Sequence, residues 1–259
     1  MMNPAFYALV LGGTLLLGMV ILTEVGRRIA IRRKMRDGED AHKGVGVLEG
    51  AVFALLGLLI GFTFSGAASR FYERRQLITE EANDIGTAYL RISLLPDQTQ
   101  PELRQKFRHY LDSRLETYRR LPDLKAAFAE LANSKKIQDE IWAYSVAGCR
   151  DASSPACNML LLPALNSMFD IVTTRTEATK IHPPPIIYAM IVLLSLAGAL
   201  LAGYGMAESK SRSWLHIFGL AAVMAFAVYV IMDIEYPRAG LISVADADHV
   251  LVELRESMK

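Results

Sequence analysis

The chain has 259 residues, of which 52% are hydrophobic and 21% are charged, and its formal net charge is +1. This composition is apolar for a globular protein and too charged for a bundle wholly inside a membrane, so it indicates a chain divided between lipid and water. A net charge near zero gives no basic excess for binding nucleic acid, and two cysteines are too few for a disulfide framework.

Four apolar stretches are long enough to cross a bilayer, which takes roughly 20 helical residues. The first runs from about Ala5 to Leu22 and ends at charged residues, and the second covers residues 47–68. The third begins after Pro183-Pro184-Pro185 and continues to about Met206, and the fourth covers 214–232. The first stretch lacks the flanking pattern of a cleaved signal peptide, so we interpret it as a retained span.

The region between the second and third spans is polar and has helical rather than strand-like spacing. An apolar stripe continues the second span as far as Pro96: Ile78, Ala82, Ile85, Tyr89 and Ile92. Further helices are predicted after Thr99, which is placed to cap a helix with its hydroxyl, after Asp123, and from near Pro155.

The sequence therefore predicts an all-α membrane protein in which a helical soluble domain is inserted between spans 2 and 3. The expected division is transmembrane helices 1 and 2 in residues 1–69, the helical domain in 70–181, transmembrane helices 3 and 4 in 182–236, and a C-terminal tail in 237–259.

The second span is unusually rich in small residues: Gly50, Ala51, Ala54, Gly57, Gly61, Gly66, Ala67 and Ala68. Taken alone, they favour close packing in a helix bundle. Leu58 and Phe62 share one face with Ala54, and several copies of that face around an axis would form a hydrophobic constriction able to gate ions. Glu49 near the start of the span is either a pore residue or a side chain that extends to the membrane interface.

Three segments resemble bestrophin channels: residues 61–72 at the end of the second span, 183–188 before the third, and 233–240 after the fourth. The match is closer to the bestrophin-like bacterial family, whose pattern fits Phe62 to Phe71, Glu81 to Arg91 and residues 235–242. The family-motif positions are Gly61, Ser69, Arg70, Asn83, Gly86, Tyr89, Arg91, Pro185, Tyr188, Asp233, Glu235, Pro237 and Gly240.

This resemblance implies a homo-oligomer, expected to be a pentamer in a bacterial inner membrane, with the second spans around a pore for small ions. The pore constriction falls on Ala54, Leu58 and Phe62. The remaining positions expected to line the pore or a charged vestibule are Glu49, Phe64, Ser65, Glu80, Glu81 and Asp84. An ion-pair network of Glu80, Glu81, Asp84 and Arg91 is the other explanation of that acidic cluster, and Asp233 and Glu235 are expected to pair with Arg238.

Bestrophins that respond to calcium carry a dense acidic cluster after the fourth span, whereas this chain has only Asp246 and Asp248 there. We therefore expect no calcium site, no other metal and no cofactor. No nucleotide-binding, nucleophile-elbow or zinc-protease motif occurs, so an enzyme is not expected. The alternative function is a non-conducting membrane scaffold or sensor whose helical domain binds a partner.

The orientation in the membrane stays open at this stage. Basic residues crowd the loop after the first span (Arg27, Arg28, Arg32, Arg33, Lys34, Arg36 and Lys43) and recur after the third (Lys210 and Arg212). The positive-inside rule would place these loops in the cytoplasm and the helical domain outside, against the bestrophin arrangement. Arg70, Arg74, Arg75 and Lys180 argue the other way. Cys149 and Cys157 are spaced either for a local disulfide or as two free thiols.

Overall fold

A computed structural model describes residues 4–37, 45–121, 123–152, 155–208 and 214–258. Within these ranges the chain is helical and has no strand, which confirms the predicted fold class. The helices are α1 (Pro4–Asp37), α2 (Val45–Arg91), α3 (Gln100–Arg119), α4 (Leu124–Asp151), α5 (Leu162–Ala178), α6 (Pro185–Gly205), α7 (Trp214–Glu235) and α8 (His249–Ser257). They form two compact units: the membrane unit, residues 1–69 and 182–236, and the helical unit, residues 70–181 and 237–259.

Helices α1, α2, α6 and α7 are long and apolar enough to cross a membrane, which confirms the four predicted spans. α1, however, does not end near Leu22 but continues to Asp37. The charges there end the apolar span without ending the helix, since Arg28 donates to Glu24 one turn earlier at 2.9 Å. Most of the loop expected at residues 207–213 lies outside the described residues.

The membrane unit is held by apolar side chains such as Met19, Leu56 and Ile191, all at most 1% exposed. α1 and α6 approach so closely that a Cβ added at Gly26 would collide with the main chain of Leu200. The same kind of collision would follow at Gly203 of α6, against the main chain of α1. Glycine at these two positions is therefore a packing requirement of helices in contact.

The helical unit packs the later part of α2 with α3, α4 and α5 around fully buried side chains such as Phe107 and Leu165. α4 begins as predicted after Asp123, whose carboxylate accepts a hydrogen bond from the main-chain N–H of Ala126 at 3.1 Å. Thr99 precedes α3 but makes no capping hydrogen bond, which corrects its expected role. A π-helical turn, Cys157–Leu161, leads into α5 close to the predicted start.

The C-terminal tail is folded into the helical unit, and its helix α8 was not predicted. Leu251 is fully buried, and Leu254 lies against Gly86, where an added Cβ would be 3.4 Å from the leucine methyl. Arg255 donates two hydrogen bonds to the carboxylate of Asp112, at 2.7 and 2.9 Å. The tail is thus attached both by apolar burial and by an ion pair.

Candidate functional site

Helix α2 has two different faces within the membrane unit. Its inward face is buried, with Leu56 at 0% and Thr63 at 7% exposure. Its outward face carries Leu58 at 55% and Phe62 at 69% exposure, with Ala54 also exposed. Each residue turns an α-helix by about 100°, so the side chains of Ala54, Leu58 and Phe62 fall within about 80° of one another around the helix axis. The three expected constriction residues therefore form one outward stripe.

Three glycines in the membrane-spanning part of α2 lie on this outward side, whereas Gly86, further along the helix, packs against Leu254. A Cβ added at Gly50, Gly57 or Gly61 would meet no atom within 4 Å. These three glycines therefore have no close packing partner among the described residues of the same chain. Ser65 is exposed on the same side, and Phe64 is 45% exposed at its edge.

Glu49 lies on the opposite side of α2 from Leu58. Its carboxylate is beside Gly205 at the end of α6, where an added Cβ would be 3.2 Å from the Glu49 Oε2 atom. The nine residue steps from Glu49 to Leu58 make about two and a half turns, which rotates the two side chains to opposite faces. Glu49 is therefore corrected from a pore residue to a residue that faces α6.

Glu81 is also corrected, because it is fully buried in the helical unit and cannot line a water-filled vestibule as the chain is folded. The Arg114 Nε atom donates to its Oε1 atom at 2.6 Å, and Arg175 donates to its Oε2 atom. Its neighbour Glu80 is exposed, and Asp84 is half-buried. Two adjacent carboxylates thus have opposite environments.

The two guanidiniums keep the buried carboxylate of Glu81 ionised. Burial alone would raise its pKa, but the charges and hydrogen bonds of Arg114 and Arg175 outweigh this and lower the pKa of Glu81 to about 2. Burial together with the carboxylates of Glu80 and Glu81 raises the pKa of Asp84. Glu81 is therefore a structural anion that joins α2 to α3 and α5.

The ion pair extends into a cluster around Tyr118, which sequence reasoning missed. The ring of Tyr118 is contacted by three guanidinium carbons: Arg175 at 4.1 Å, Arg238 at 4.8 Å and Arg114 at 5.0 Å from its centroid. Burial raises the pKa of Tyr118 to about 12, so its hydroxyl stays protonated. Asp248 accepts two hydrogen bonds from Arg238, at 2.7 and 2.8 Å, and so orients within the tail the guanidinium that contacts Tyr118 of α3.

Comparisons with known proteins agree with this architecture. A family model for the bestrophin-like domain matches residues 13–248, which is most of the chain. The chain belongs to the bestrophin-like family. No curated protein matches its sequence.

Two crystal structures resemble this bestrophin-like chain in fold. One is a bacterial bestrophin homologue from Klebsiella pneumoniae with a tyrosine-to-alanine substitution: 15% identity, 92% of this chain and 98% of that chain covered, TM-score 0.60. The other is described as a membrane protein with a proline-to-alanine substitution: 16% identity, 93% and 99% covered, TM-score 0.59. The chain is an integral membrane protein of a family of channels rather than enzymes.

The bestrophin-like motif in α2 divides between structural and exposed positions. Tyr89 is buried, stacks edge-on with Phe107 at 5.9 Å and is covered by the guanidinium of Arg104 at 4.9 Å. Arg91 donates to the main-chain oxygen of Leu160 at 2.7 Å, so its described partner is a carbonyl in the π-helical turn. The motif positions exposed on α2 are Gly61, Ser69 and Asn83.

The motif after the fourth span is distributed over several contacts. Glu235 is within hydrogen-bonding distance of His182, at 3.2 Å, and Asp233 accepts from the hydroxyl of Tyr229 at 3.3 Å. Arg238 pairs with Asp248, while its expected pairing with Asp233 and Glu235 stays a prediction. Of the other motif positions, Pro185 begins α6, the Pro237 oxygen accepts from the Val244 N–H at 3.0 Å, and Arg70, Tyr188 and Gly240 are partly exposed.

The sequence contained a signal for the position of Glu49 but none for the burial of Glu81. The position of Glu49 follows from helical periodicity and could have been read directly. The partners of Glu81 lie 33 and 94 residues away in sequence, and no local pattern connects them.

Proposed function

We propose that this bestrophin-like chain assembles as a homopentamer in a bacterial inner membrane and conducts small ions along a central path lined by α2. Ala54, Leu58 and Phe62 form the constriction. The number of subunits is inferred from the resemblance to bestrophins. The observation that carries the proposal is the outward stripe of α2, which the chain's own membrane helices leave uncovered.

Small residues accompany Leu58 and Phe62 on the outward side of α2, and this distinguishes α2 from the helices whose outward side suits contact with lipid. α1 exposes Leu9, Leu17 and Ile21, and α7 exposes Leu215 and Phe226, all between 60% and 83%. Large apolar side chains are the favourable choice against hydrocarbon, whereas small residues are typical of contacts between membrane helices.

The glycines of α2 sharpen this contrast. In the described residues α1 and α7 each have one glycine whose added Cβ would meet open space, namely Gly13 and Gly219. α2 has four, at positions 46, 50, 57 and 61. Each glycine weakens an isolated helix by roughly 1 kcal/mol relative to alanine, so four on one exposed side favour a role in contact with other copies or with a pore.

The water-exposed part of the same helix supplies the proposed vestibule. Glu80 and Asp84 put carboxylates there, and Phe64 and Ser65 lie between them and the constriction. Glu49 and Glu81 are excluded from this set because their carboxylates face other helices of the same chain. A ring of exposed carboxylates would bias which ions enter.

Reconstitution of the purified protein into liposomes tests the proposal. We expect an ion flux that depends on protein and on the applied voltage, together with an oligomer mass of five chains by native mass spectrometry. A flat current under varied voltage and ions would contradict conduction, and a monomer in mild detergent and in lipid would contradict the assembly.

A non-conducting sensor is the second proposed function, and one feature of the helical unit favours it. A cavity of about 730 Å³ lies between α3, α4 and α8. Ionisable residues that contribute to its lining are His109, Asp112, Glu116, Arg119, Glu130 and Arg255. A sensor would bind a ligand at this cavity and show a stable oligomer without current. Finding current together with unchanged thermal stability across a library of small charged ligands would rule against it.

A further inference from the structure

We infer that the helical unit lies on the oxidising side of the membrane, where Cys149 and Cys157 form a permanent structural disulfide. The loops that join spans 1 and 2 and spans 3 and 4 then lie in the cytoplasm. This orientation is opposite to the one that the resemblance to bestrophins implies. It is independent of whether the chain conducts ions.

The two cysteines are placed as a bonded pair in the interior of the helical unit. They are the only cysteines of the chain, their Cα atoms are 5.5 Å apart, and the structure joins them as a disulfide. Their side chains are 3% and 0% exposed. A separation of 5.5 Å lies within the range of native disulfides. Such bonds persist in oxidising compartments and are rare in the cytosol, where thiols are kept reduced.

The disulfide lies at a junction where several helices of the helical unit are in contact. It connects the end of α4 to the π-helical turn that precedes α5. Arg91, the last residue of α2, is hydrogen-bonded to Leu160 within that turn. On the other side of the junction, a Cβ added at Gly148 would lie 2.9 Å from a methyl of Leu95. The bond therefore sits where three helices meet, which is a structural position rather than an exposed redox site.

Bond formation has a simple chemical requirement. The two thiols lose two protons and two electrons as the S–S bond forms. The electrons pass to a protein disulfide of the thiol–disulfide exchange class, which is reduced to a dithiol. Oxidants of this class act outside the bacterial cytoplasm, and the bond then becomes inaccessible because both sulfurs are buried when the helical unit folds.

The distribution of basic residues supports the same orientation independently. The two connections between spans on the side opposite to the helical unit carry nine lysines and arginines, in residues 23–46, which include the charged end of α1, and in residues 207–213. On the helical-unit side, the 20-residue segments next to the spans, residues 69–88, 165–184 and 233–252, carry six lysines and arginines. Three of these six are held within the helical unit: Arg74 by the carbonyls of Ala178 and Ile181, and Arg175 and Arg238 by Asp248. Short connections between spans that are rich in lysine and arginine remain in the cytoplasm.

Counting the thiols of the native protein tests the bond. Cells are quenched in acid, and the denatured protein is treated with a maleimide that adds a large polymer to each free thiol. We expect no mobility shift without reductant and a shift of two additions after reduction. Two additions without reductant would overturn the inference.

Single cysteines on the two sides test the orientation. In a background with Cys149→Ala and Cys157→Ala, Lys136→Cys places a thiol on the exposed surface of α4, and Met35→Cys places one on α1, where Met35 is 76% exposed. In intact spheroplasts a membrane-impermeant maleimide should label Lys136→Cys, and it should label Met35→Cys only after lysis. The reverse pattern would overturn the inference. If the background does not fold, the native thiol count still decides the redox compartment.

Discussion

The two faces of α2 carry opposite kinds of residue along the same helix. The inward face packs against other parts of the same chain: Leu56 and Thr63 are buried in the membrane unit, and Glu81 is buried in the helical unit. The outward face combines small residues such as Gly57 with the large side chains of Leu58 and Phe62, and all three are uncovered. One face therefore packs the subunit, while the other is left uncovered, as the proposed assembly and ion path require.

The inward face should therefore control stability. Glu81→Gln removes the carboxylate that the buried guanidiniums of Arg114 and Arg175 share, and only Arg175 keeps a second one, Asp248 at 3.8 Å. We expect a loss of about 3–5 kcal/mol in the free energy of unfolding of the helical unit. Glu80→Gln, one residue away and exposed, should change it by less than about 0.5 kcal/mol. Denaturant unfolding followed by near-ultraviolet circular dichroism measures both. Equal losses from the two variants would remove the distinction between the faces.

The same carboxylate should make stability depend on acid. The pKa of Glu81 is lowered in the folded state from 4.5 to about 2. Its contribution is therefore fully present above pH 4.5 and is lost as the pH falls towards 2, by up to about 3 kcal/mol.

The check is the difference in unfolding free energy between the wild type and Glu81→Gln at several pH values. This difference should shrink as the pH is lowered below 4.5. The comparison cancels the other carboxylates, such as Asp112 and Asp248, which titrate in both proteins. A difference that stays constant down to pH 3 would contradict the assigned ion pair.

The outward face should control assembly. Gly57→Leu adds a large side chain where we propose that copies of α2 approach, and overpacking of this kind costs about 1–3 kcal/mol. Gly219→Leu on α7 is the matched control, since an added Cβ meets open space at both positions. Native mass spectrometry should show the oligomer lost or reduced only for Gly57→Leu. Intact oligomers for both variants would indicate that α2 faces lipid.

The exposed carboxylates should have the smallest effect, on ion preference alone. Glu80→Gln removes one proposed vestibule charge from each subunit. Exposed charges interact at about 1 kcal/mol or less. We therefore expect the relative permeability of cations and anions to change by a few-fold at most, and we expect the reversal potential under a salt gradient to shift accordingly. Glu140→Gln, exposed on α4, serves as the control. Equal shifts in both variants would show that Glu80 has no special position.

Several features of the fold could be predicted from the sequence because they depend on local physics. Apolar length predicts the spans, and the carboxylate of Asp123 predicts the start of α4. The continuation of α1 to Asp37 was missed because the charges that end an apolar span do not end a helix. Helix α8 was missed because it is short and is stabilised by its contacts, such as the burial of Leu251, rather than by its own pattern.

The proposed site was less accessible to sequence reasoning. The stripe of Ala54, Leu58 and Phe62 follows from spacing, and the structure leaves it uncovered. Whether a glycine packs against a neighbour or faces open space depends on the other helices, so Gly57 and Gly203 could not be distinguished in the sequence. The cluster around Tyr118 joins residues from α2, α3, α5 and the tail, and only the folded chain brings them together.

A pore lined by the outward face of α2 is tested most directly by comparing the single-channel or liposome currents of Phe62→Ala and Phe226→Ala. The two phenylalanines are almost equally exposed, at 69% and 66%, but Phe62 lies on the outward face of α2 and Phe226 lies on α7. If α2 lines the pore, Phe62→Ala widens the constriction and raises the conductance or leak, while Phe226→Ala conducts like the wild type. Unchanged currents in Phe62→Ala, or equal changes in both variants, would contradict a pore lined by this face of α2.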